Sequence, residues 1–448
     1  MSAQISGNRR KGQVLIMTTL VIIPMVGLLG LVTDLGYMHF LEMSAQTAAE
    51  AAAKAAVIDV HASYGAAAYT CGGGVVCACT PTACPAASGT AVQDGCQYAQ
   101  QNGFDPSGSQ NVTYQAGASS TPPTAPGMGT ASYWVTFRVT QSVPQLFSRV
   151  LGNFTGFVAA RSTAALVGAT DCIYALDPSM QGAISVGGTA NLTSNCGLYV
   201  NSDNACALSS NGGGTISATE YDVVGNVCTH APLSPSPNTG VYPASDPLAG
   251  WAAPASAPYT CTQTYPNGSG NGSTITVYPG VYCGGIQVKN NTVNFAPGVY
   301  ILVGGGLTTQ DSNSHINGNG VMFYNTFGST IGSGNKTYAY SPVNIAANST
   351  VSLTAPTTGA YTGMLFFDDR SAPSGYPDSY GGGSTAVYQG IIYDRNNGIY
   401  MYGNSSVNTQ YTIVVADWIS LVGTTSFNNN YSSLPNGASP LQQVVVVE

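Results

Sequence analysis

The chain has 448 residues, of which only 7% are charged, and 11 Lys and Arg stand against 19 Asp and Glu, a net charge of −8. This length is enough for two or three domains. The acidic balance leaves no basic surface to neutralise phosphates, which excludes nucleic acid as a partner. Abundant Gly and an excess of Tyr over Phe (27 to 12) are typical of turn-rich β structure.

The first element is an uncharged apolar run, residues 13–32, that begins at Gln13, contains Pro24 and ends at Val32. Twenty helical residues are about 30 Å long, the thickness of a bilayer core, so we predict a transmembrane helix over residues 13–33. Basic residues precede the run, and the positive-inside rule places residues 1–12 in the cytoplasm. The alternative is a cleaved secretory signal, but the apolar region of a signal is shorter, about 7–15 residues.

After the apolar run, residues 43–60 are rich in Ala, Glu, Gln and Lys, which favour helix. The transmembrane helix is therefore predicted to continue outward as a helical stalk. The order of features around it is specific: basic residues, Gly12, an apolar helix with an internal Pro, a Val-Thr-Asp-Leu-Gly step containing Asp34 and Gly36, and an Ala-rich stretch. This segment resembles the N-terminus of the Tad/Flp pilus-assembly proteins of the TadE/TadG kind.

The resemblance implies a single-pass protein of the bacterial inner membrane, with its body in the periplasm or at the cell surface. It implies other pilus-assembly subunits or pilins as partners. The small pseudopilins of this family are cut after a Gly that is followed five residues later by Glu, whereas Met17 holds that place after Gly12. This chain is therefore more similar to the larger TadG-like members, which act as minor pilins or assembly proteins and keep the anchor.

Residues 34–170 are predicted to form the stalk and a small α+β domain. Within it, residues 64–130 indicate a Cys-rich loop stapled by disulfides, with a short strand at 111–115. Strands at 133–139 and 157–167 flank a short helix at 145–151. Part of this block also resembles the Tad family, namely a Val-Pro-x-x-Phe turn at 143–147, a Leu-Gly pair at 151–152 and an Ala-x-Ala strand at 159–164.

Residues 171–448 consist of short apolar runs separated by Gly, Asn and Ser, at roughly 20–25 residues per group. This period predicts a mainly-β domain, a right-handed parallel β-helix or related β-solenoid. Two similar phrases, 277–282 and 295–300, are predicted to turn a corner at Pro-Gly and to point Val inward. A Pro-rich stretch at 229–260 is predicted to leave the repeat as a loop, because prolines cannot supply ladder donors, and residues 370–384 are predicted to form a second loop.

Eleven cysteines in an exported chain indicate disulfides. Six lie in pairs separated by about one repeat, so that the members of a pair stack on adjacent turns of a solenoid. The predicted disulfides are Cys172 with Cys196, Cys206 with Cys228, and Cys261 with Cys283; local pairs such as Cys196 with Cys206 are the alternative. The first five cysteines lack the spacing of a metal site, and one thiol remains free or bonds to another chain.

The acidic residues Asp368, Asp369 and Asp394 and their neighbours Arg370 and Arg395 are the strongest candidates for glycoside hydrolysis. Because adjacent residues of a strand point to opposite faces, at most one of Asp368 and Asp369 can face a given groove. We therefore expect these acids to form turn-stabilising Asp–Arg pairs and not a catalytic site. No catalytic, cofactor-binding or metal-binding residue is predicted. The expected role is structural, with surface glycans as further ligands. The alternatives are a membrane-tethered β-helix enzyme acting on surface polysaccharide and a glycan-binding module.

Overall fold

The structure is a computed structural model that describes residues 9–64, 69–72, 75–128, 130–147, 149, 154–265, 270–331, 335–402, 410–434, 437 and 439–447. It consists of two compact units. The first comprises the chain up to Val167 together with the last residues from Gln443, and the second is Gly168–Gln442. A long apolar helix precedes a mostly-β body, as predicted.

In its described residues the first unit has two α-helices, a short 3₁₀ helix at 126–128 and one five-stranded sheet of order β1-β2-β3-β4-β33. Its strands β1 to β4 are antiparallel neighbours. Its elements are α1 (Arg9–Tyr64), β1 (Ala78–Ala83), α2 (Ala91–Gln101), β2 (Gln110–Ser120), the 3₁₀ helix (Pro126–Met128), β3 (Ala131–Pro144), β4 (Thr155–Gly168) and the C-terminal β33 (Gln442–Val447).

Helix α1 is continuous through Pro24 and joins the apolar run to the Ala-rich segment, as predicted. Side chains on all sides of its described apolar half are exposed, whereas one face of its second half is buried against the rest of the unit. Small side chains on this face allow close packing. The fully buried residues are Ala45, Ala48, Ala49, Ala52, Ala53, Ala56, Val57 and Val60.

Helix α2 lies in the stretch that was predicted to be an irregular loop, so that prediction was wrong at this point. Its first turn is capped by Thr90, whose side chain accepts a hydrogen bond from the Gln93 backbone N–H. Helix α2 approaches α1 so closely that a Cβ at Gly95 would lie 2.7 Å from the Ala52 carbonyl oxygen. Disulfides Cys71–Cys77 and Cys84–Cys96 hold the surrounding segments.

The second unit is built almost entirely of short strands. Its first part comprises β5 (Asp171–Ala175), β6 (Ile184–Val186), β7 (Asn191–Ser194), β8 (Gly197–Val200), β9 (Leu208–Ser210), β10 (Thr215–Ser217), β11 (Tyr221–Val223), β12 (Val227–Cys228) and β13 (Asn238–Thr239). Its middle part comprises β14 (Thr274–Val277), β15 (Gly280–Cys283), β16 (Ile286–Val288), β17 (Thr292–Phe295), β18 (Gly298–Val303), β19 (Leu307–Thr309), β20 (His315–Asn319), β21 (Val321–Thr326), β22 (Gly328–Ser329), β23 (Thr337–Tyr338), β24 (Asn344–Ile345) and β25 (Thr350–Thr354). Its last part comprises β26 (Met364–Asp368), β27 (Asp378–Tyr380), β28 (Val387–Asp394), β29 (Ile399–Met401), β30 (Thr412–Ala416), β31 (Ile419–Leu421) and β32 (Thr425–Phe427).

Apart from the β22–β23 hairpin, these strands pair in parallel and form stacks. The first stack has the order β13-β11-β8-β5-β30-β28-β26-β21-β18-β15, and the second has the order β12-β9-β6-β31-β29-β27-β24-β19-β16. The remaining strands form a third set, β10-β7-β32 and β28-β25-β20-β17-β14. We call one strand from each set, taken in sequence, a rung.

The order of rungs in space differs from their order in the chain. The chain enters at β5, β6 and β7, which lie in the interior of their stacks, and builds outward to β13. It then crosses to the opposite end at β14 and β15 and builds back until β30, β31 and β32 pair with the entry strands. The body is therefore two half-stacks that meet at the first rung.

The Pro-rich stretch makes that crossing. We call residues 229–265 the return segment. It was predicted to leave the repeat as a loop, and it does lie outside the stacks apart from β13, but it runs along the first stack and bonds to successive rungs. These contacts join Tyr242 to Tyr199, Ala244 to Asn201, Asp246 to Tyr393, Trp251 to Arg370, Tyr259 to Thr326 and Thr262 to Val281.

Tyrosines fill the inner side of the two Pro-Gly corners. Tyr282 and Tyr300 are buried, whereas Val281 and Val299 are only partly buried, so the prediction of inward Val was wrong. The Tyr300 hydroxyl donates to the carbonyl of Ala296 at 2.6 Å and the Tyr282 hydroxyl to that of Tyr278 at 2.6 Å. A buried Tyr thus satisfies a corner carbonyl that the strand ladder leaves unpaired, which Val cannot do.

Two glycine substitutions in helices test the close approach of α1 and α2. Gly95→Ala is expected to lower the free energy of unfolding by about 1–3 kcal/mol, because the new methyl group would overlap the Ala52 carbonyl and the Phe137 ring. Gly36→Ala is the matched control, since a Cβ there meets nothing within 4 Å and helix propensity favours Ala by about 1 kcal/mol. Equal effects of the two substitutions in chemical denaturation would contradict this packing.

Candidate functional site

Asp34 connects the apolar half of α1 to the rest of the first unit. Its side chain is 5% exposed, and its carboxylate oxygens accept the backbone N–H groups of Leu146 at 3.2 Å and Phe147 at 3.0 Å. Leu146 and Phe147 belong to the connection between β3 and β4, in which the Gln145 N–H donates to the Phe154 carbonyl. Asp34 therefore fixes this hairpin to the helix.

Residues of α1 on both sides of Asp34 also contact the hairpin. A Cβ at Gly30 would lie 2.5 Å from the Cβ of Phe147, so only Gly permits the ring to pack there. One turn after Asp34, the Met38 sulfur accepts a hydrogen bond from the Gln145 side chain at 3.0 Å. The helix predicted at 145–151 lies partly outside the described residues, and residues 146–147 form a bend.

The other residues of the predicted anchor and motif lie along α1. Gln13, Pro24 and Val32 fall within its apolar half, which is the described segment that is long and apolar enough to cross a membrane. Gly12 and Gly36 are also helical, and Gly36 is exposed. This half of α1 is a candidate membrane anchor.

The six cysteines of the second unit form the pairs that their spacing predicts: Cys172–Cys196, Cys206–Cys228 and Cys261–Cys283. The first pair lies beside the entry strand β5, and Cys228 and Cys283 belong to strands at opposite ends of their stacks. Among the cysteines, all of which are described, Cys79 is free and exposed. The disulfides therefore secure the first rung and both ends.

The two arginines that follow candidate carboxylates do not form the predicted Asp–Arg pairs with their neighbours. Arg370 donates to the Trp251 carbonyl at 2.7 Å, to the Leu248 carbonyl and to the Tyr393 hydroxyl. Arg395 lies 3.7 Å from Asp246. Because Leu248, Trp251 and Asp246 all belong to the return segment, these arginines hold that segment against the stack.

The carboxylates instead converge inside the body. Carboxylate oxygens of Asp368, Asp378 and Asp394 all lie within 4.8 Å of one another, and each side chain is at most 1% exposed. Asp368 and Asp394 end the neighbouring strands β26 and β28, and Asp378 begins β27 in the second stack. We call these three residues the acid cluster. Asp369 points away from it and accepts bonds from Ser371 and Thr326.

Neutral donors surround the acid cluster. Asp368 accepts from the Tyr340 hydroxyl at 2.6 Å and the Asn325 amide at 2.7 Å, and Asp378 accepts from the Val343 N–H and the Tyr380 hydroxyl. One oxygen of Asp368 and one of Asp394 are buried without a hydrogen-bond partner. Described lysines and arginines make no ion pair with the cluster within 4.0 Å.

Burial raises the pKa of all three carboxyl groups, that of Asp368 to about 6. Repulsion from Asp368 raises the pKa of Asp378 and Asp394 further. Such a cluster can hold protons at neutral pH, and its oxygens are also the donor type that Ca²⁺ takes. A second group of described acids that could hold a cation is Asp171, Glu220 and Asp222. Burial raises the pKa of Asp171 to about 7.

Sequence reasoning missed Asp378, because residues 370–384 were predicted to form a loop, whereas Asp378 begins a buried strand. A signal was present for the other two members of the cluster, although not for Asp378. The runs VMFYN, MLFFD and GIIYD each place Asn or Asp at or next to the end of an apolar strand, and Asn325 pairs in register with Asp368. Aligning the repeats on their polar ends would have placed Asn325, Asp368 and Asp394 in one column.

The contact of Asp34 with the hairpin makes a testable prediction. Asp34→Ala leaves the Leu146 and Phe147 N–H groups without their acceptor, which we expect to lower stability by roughly 1–3 kcal/mol and to speed amide exchange at both positions. Asp34→Asn is the matched control, because it retains one oxygen acceptor and should lose less. Unchanged exchange protection of Leu146 and Phe147 in Asp34→Ala would show that the carboxylate does not hold the hairpin.

The acid cluster predicts a pH dependence of stability. Since the folded-state pKa values lie above the unfolded value of about 4, the unfolded state loses protons first, and the free energy of unfolding of the body should fall as pH rises from 4 through 6. Asp378→Asn should reduce the slope by up to about 1.4 kcal/mol per pH unit. Urea denaturation at several pH values measures this, with the exposed Asp203→Asn as control. An unchanged slope in Asp378→Asn would contradict the assignment.

Comparison with known proteins identifies the N-terminal segment. Residues 12–68 match a family model described as "Putative Flp pilus-assembly TadE/G-like". No curated protein and no solved structure matches the chain. The matched residues contain the apolar half of α1, Asp34 and the Ala-rich packing face. The resemblance drawn from the sequence is thus confirmed over residues 12–68, which are similar to the TadE/G-like Flp pilus-assembly family, whereas the motifs at 143–164 lie outside the matched residues.

Proposed function

We propose that this protein is a membrane-anchored structural component of a Tad-type pilus system, a minor pilin, assembly subunit or adhesin of the TadG kind. The observation that carries the proposal is the TadE/G-like match over residues 12–68. Asp34 supports it, because this motif residue ties the anchor helix to the Val-Pro-x-x-Phe turn, the second motif on which the resemblance depends.

The proposed location is the bacterial inner membrane, with residues 1–12 in the cytoplasm and the body in the periplasm or at the cell surface. The basic residues 9–11 before the apolar run support this orientation. Five disulfides support it independently, because disulfides form and persist outside the reducing cytoplasm.

The body, in this proposal, is a parallel β-helix or a related β-solenoid that provides rigid surface without catalysing a reaction. Its parallel stacks and its return segment support the first part. The burial of the acid cluster supports the second, because a polysaccharide cannot reach carboxylates that are at most 1% exposed. Assembly partners and surface glycans need area and hydrogen-bonding groups, which such a body supplies.

The competing function is a membrane-tethered hydrolase of surface polysaccharide. The observation that favours it is the acid cluster itself, whose carboxylate oxygens lie within 4.8 Å of one another, close to the roughly 5–5.5 Å that separates the two carboxyl groups of a retaining glycosidase. In the structural role the same carboxylates hold protons in the interior and contact no substrate.

The test is to follow the protein in intact cells and sheared filaments. We expect the full-length protein in the membrane fraction and in contact with filaments, residues 40–448 digested by protease added outside the inner membrane, and loss of piliation when the gene is deleted. Normal piliation after deletion would overturn the pilus role. Release of new reducing ends from a polysaccharide panel by the wild type, abolished by Asp368→Asn, would establish the hydrolase instead.

A further inference from the structure

Large apolar side chains are exposed on both arms of the hairpin between β3 and β4. We call Leu146, Phe147, Phe154 and Phe157 the hairpin patch; their exposed fractions are 73%, 45%, 60% and 60%. Elsewhere on β3, large apolar residues such as Tyr133 and Phe137 are fully buried. Four large apolar side chains exposed together at a strand connection mark a surface that contacts an apolar partner.

The position of the hairpin patch along α1 is fixed by direct contacts. Phe147 donates its backbone N–H to Asp34, and its ring lies against Gly30. Gly30 lies inside the apolar run of residues 13–32, two residues before its end, or about 3 Å along the axis. The hairpin therefore reaches the last turn of the run and does not stop short of it.

We propose that the hairpin patch inserts into the bilayer that α1 spans, on the side from which the body emerges. This inference rests on the proposed anchoring of residues 13–32 in the membrane. The partner that the hairpin patch contacts is lipid, because the packing of Phe147 on Gly30 places the patch at the depth where the acyl chains begin. The chemistry fits an interfacial site: aromatic rings lie beside an exposed cation, since the Arg149 guanidinium lies 5.5 Å over the Phe154 ring, where a lipid phosphate can bind it.

In this proposal the hairpin is a second point, besides α1, at which the first unit is attached to the membrane. A single helix can rotate and tilt freely in a bilayer, whereas a helix with an inserted hairpin beside it has a preferred rotation about its axis. The first unit would then present a constant face to neighbouring subunits in the plane of the membrane.

The test uses photocrosslinking in the full-length protein, reconstituted in vesicles of phosphatidylethanolamine and phosphatidylglycerol. The photoreactive residue p-benzoylphenylalanine replaces, one at a time, Leu146, Phe154, Leu20 and Tyr98. Leu20 reports the anchor. Tyr98 is the matched control, since it is 47% exposed on α2, which meets α1 at Ala52, twenty residues or about 30 Å beyond Val32.

We expect lipid adducts, detected by mass spectrometry, at positions 20, 146 and 154 and a yield at 98 no higher than without irradiation. Lipid adducts at 20 with none at 146 and 154 would overturn the hairpin proposal and leave the anchor intact. No adduct at 20 would overturn the anchor, and with it the proposed function. Adducts of 146 or 154 to a second copy, or to another protein in native membranes, would replace lipid by a protein occupant and equally overturn the proposal.

Discussion

Parallel pairing in register between neighbouring rungs is the constraint on which the body depends. It places like positions above one another, so that each inward side chain contacts its counterpart about 4.8 Å away. Tyr300, Phe323 and Phe366, which pair in register, form such a column, with ring centroids 5.3 and 5.1 Å apart. The same geometry brings Asn325, Asp368 and Asp394 together, so the pairing that stabilises an aromatic column also creates repulsion where the repeated residue is acidic.

The repeat length, the parallel strands and the cysteine pairs could be predicted from the sequence because each is a local spacing. The order of the rungs could not. A period states how far apart pairing partners are along the chain, but β5 pairs with β30 across more than two hundred residues, and no spacing encodes that contact. The return segment was missed for the same reason: its prolines exclude a central strand, yet they do not show that Leu248 and Tyr259 are buried.

Other predictions were wrong because composition or sequence proximity was given more weight than the specific residues. The stretch containing α2 was assigned to a loop because it is rich in Gly, Ala and Cys, although Thr90 followed three residues later by Gln93 is the pattern of a helix cap. Neighbouring Asp and Arg residues were predicted to pair because they adjoin in sequence. The structure separates them: Asp368 enters the core at the end of β26, whereas Arg370, beyond the end of that strand, lies over the rings of Phe367 and Tyr393 and donates to the return segment. The Asp34 contact depends on a sequence separation of 112 residues, beyond any local pattern.

The strand order has a consequence for the timing of biosynthesis. As the chain emerges N-terminus first, the edges of β5, β6 and β7 stay open until β30, β31 and β32 have been made, and the sheet of the first unit lacks β33 until residues 442–447 are translated. Neither unit can be completed before these late strands are synthesised. A product that stops before β30 therefore carries unpaired strand edges in both units, which are sites of aggregation and of recognition by proteases. Chains that contain all of these strands escape that fate, so the topology itself separates completed units from truncated ones.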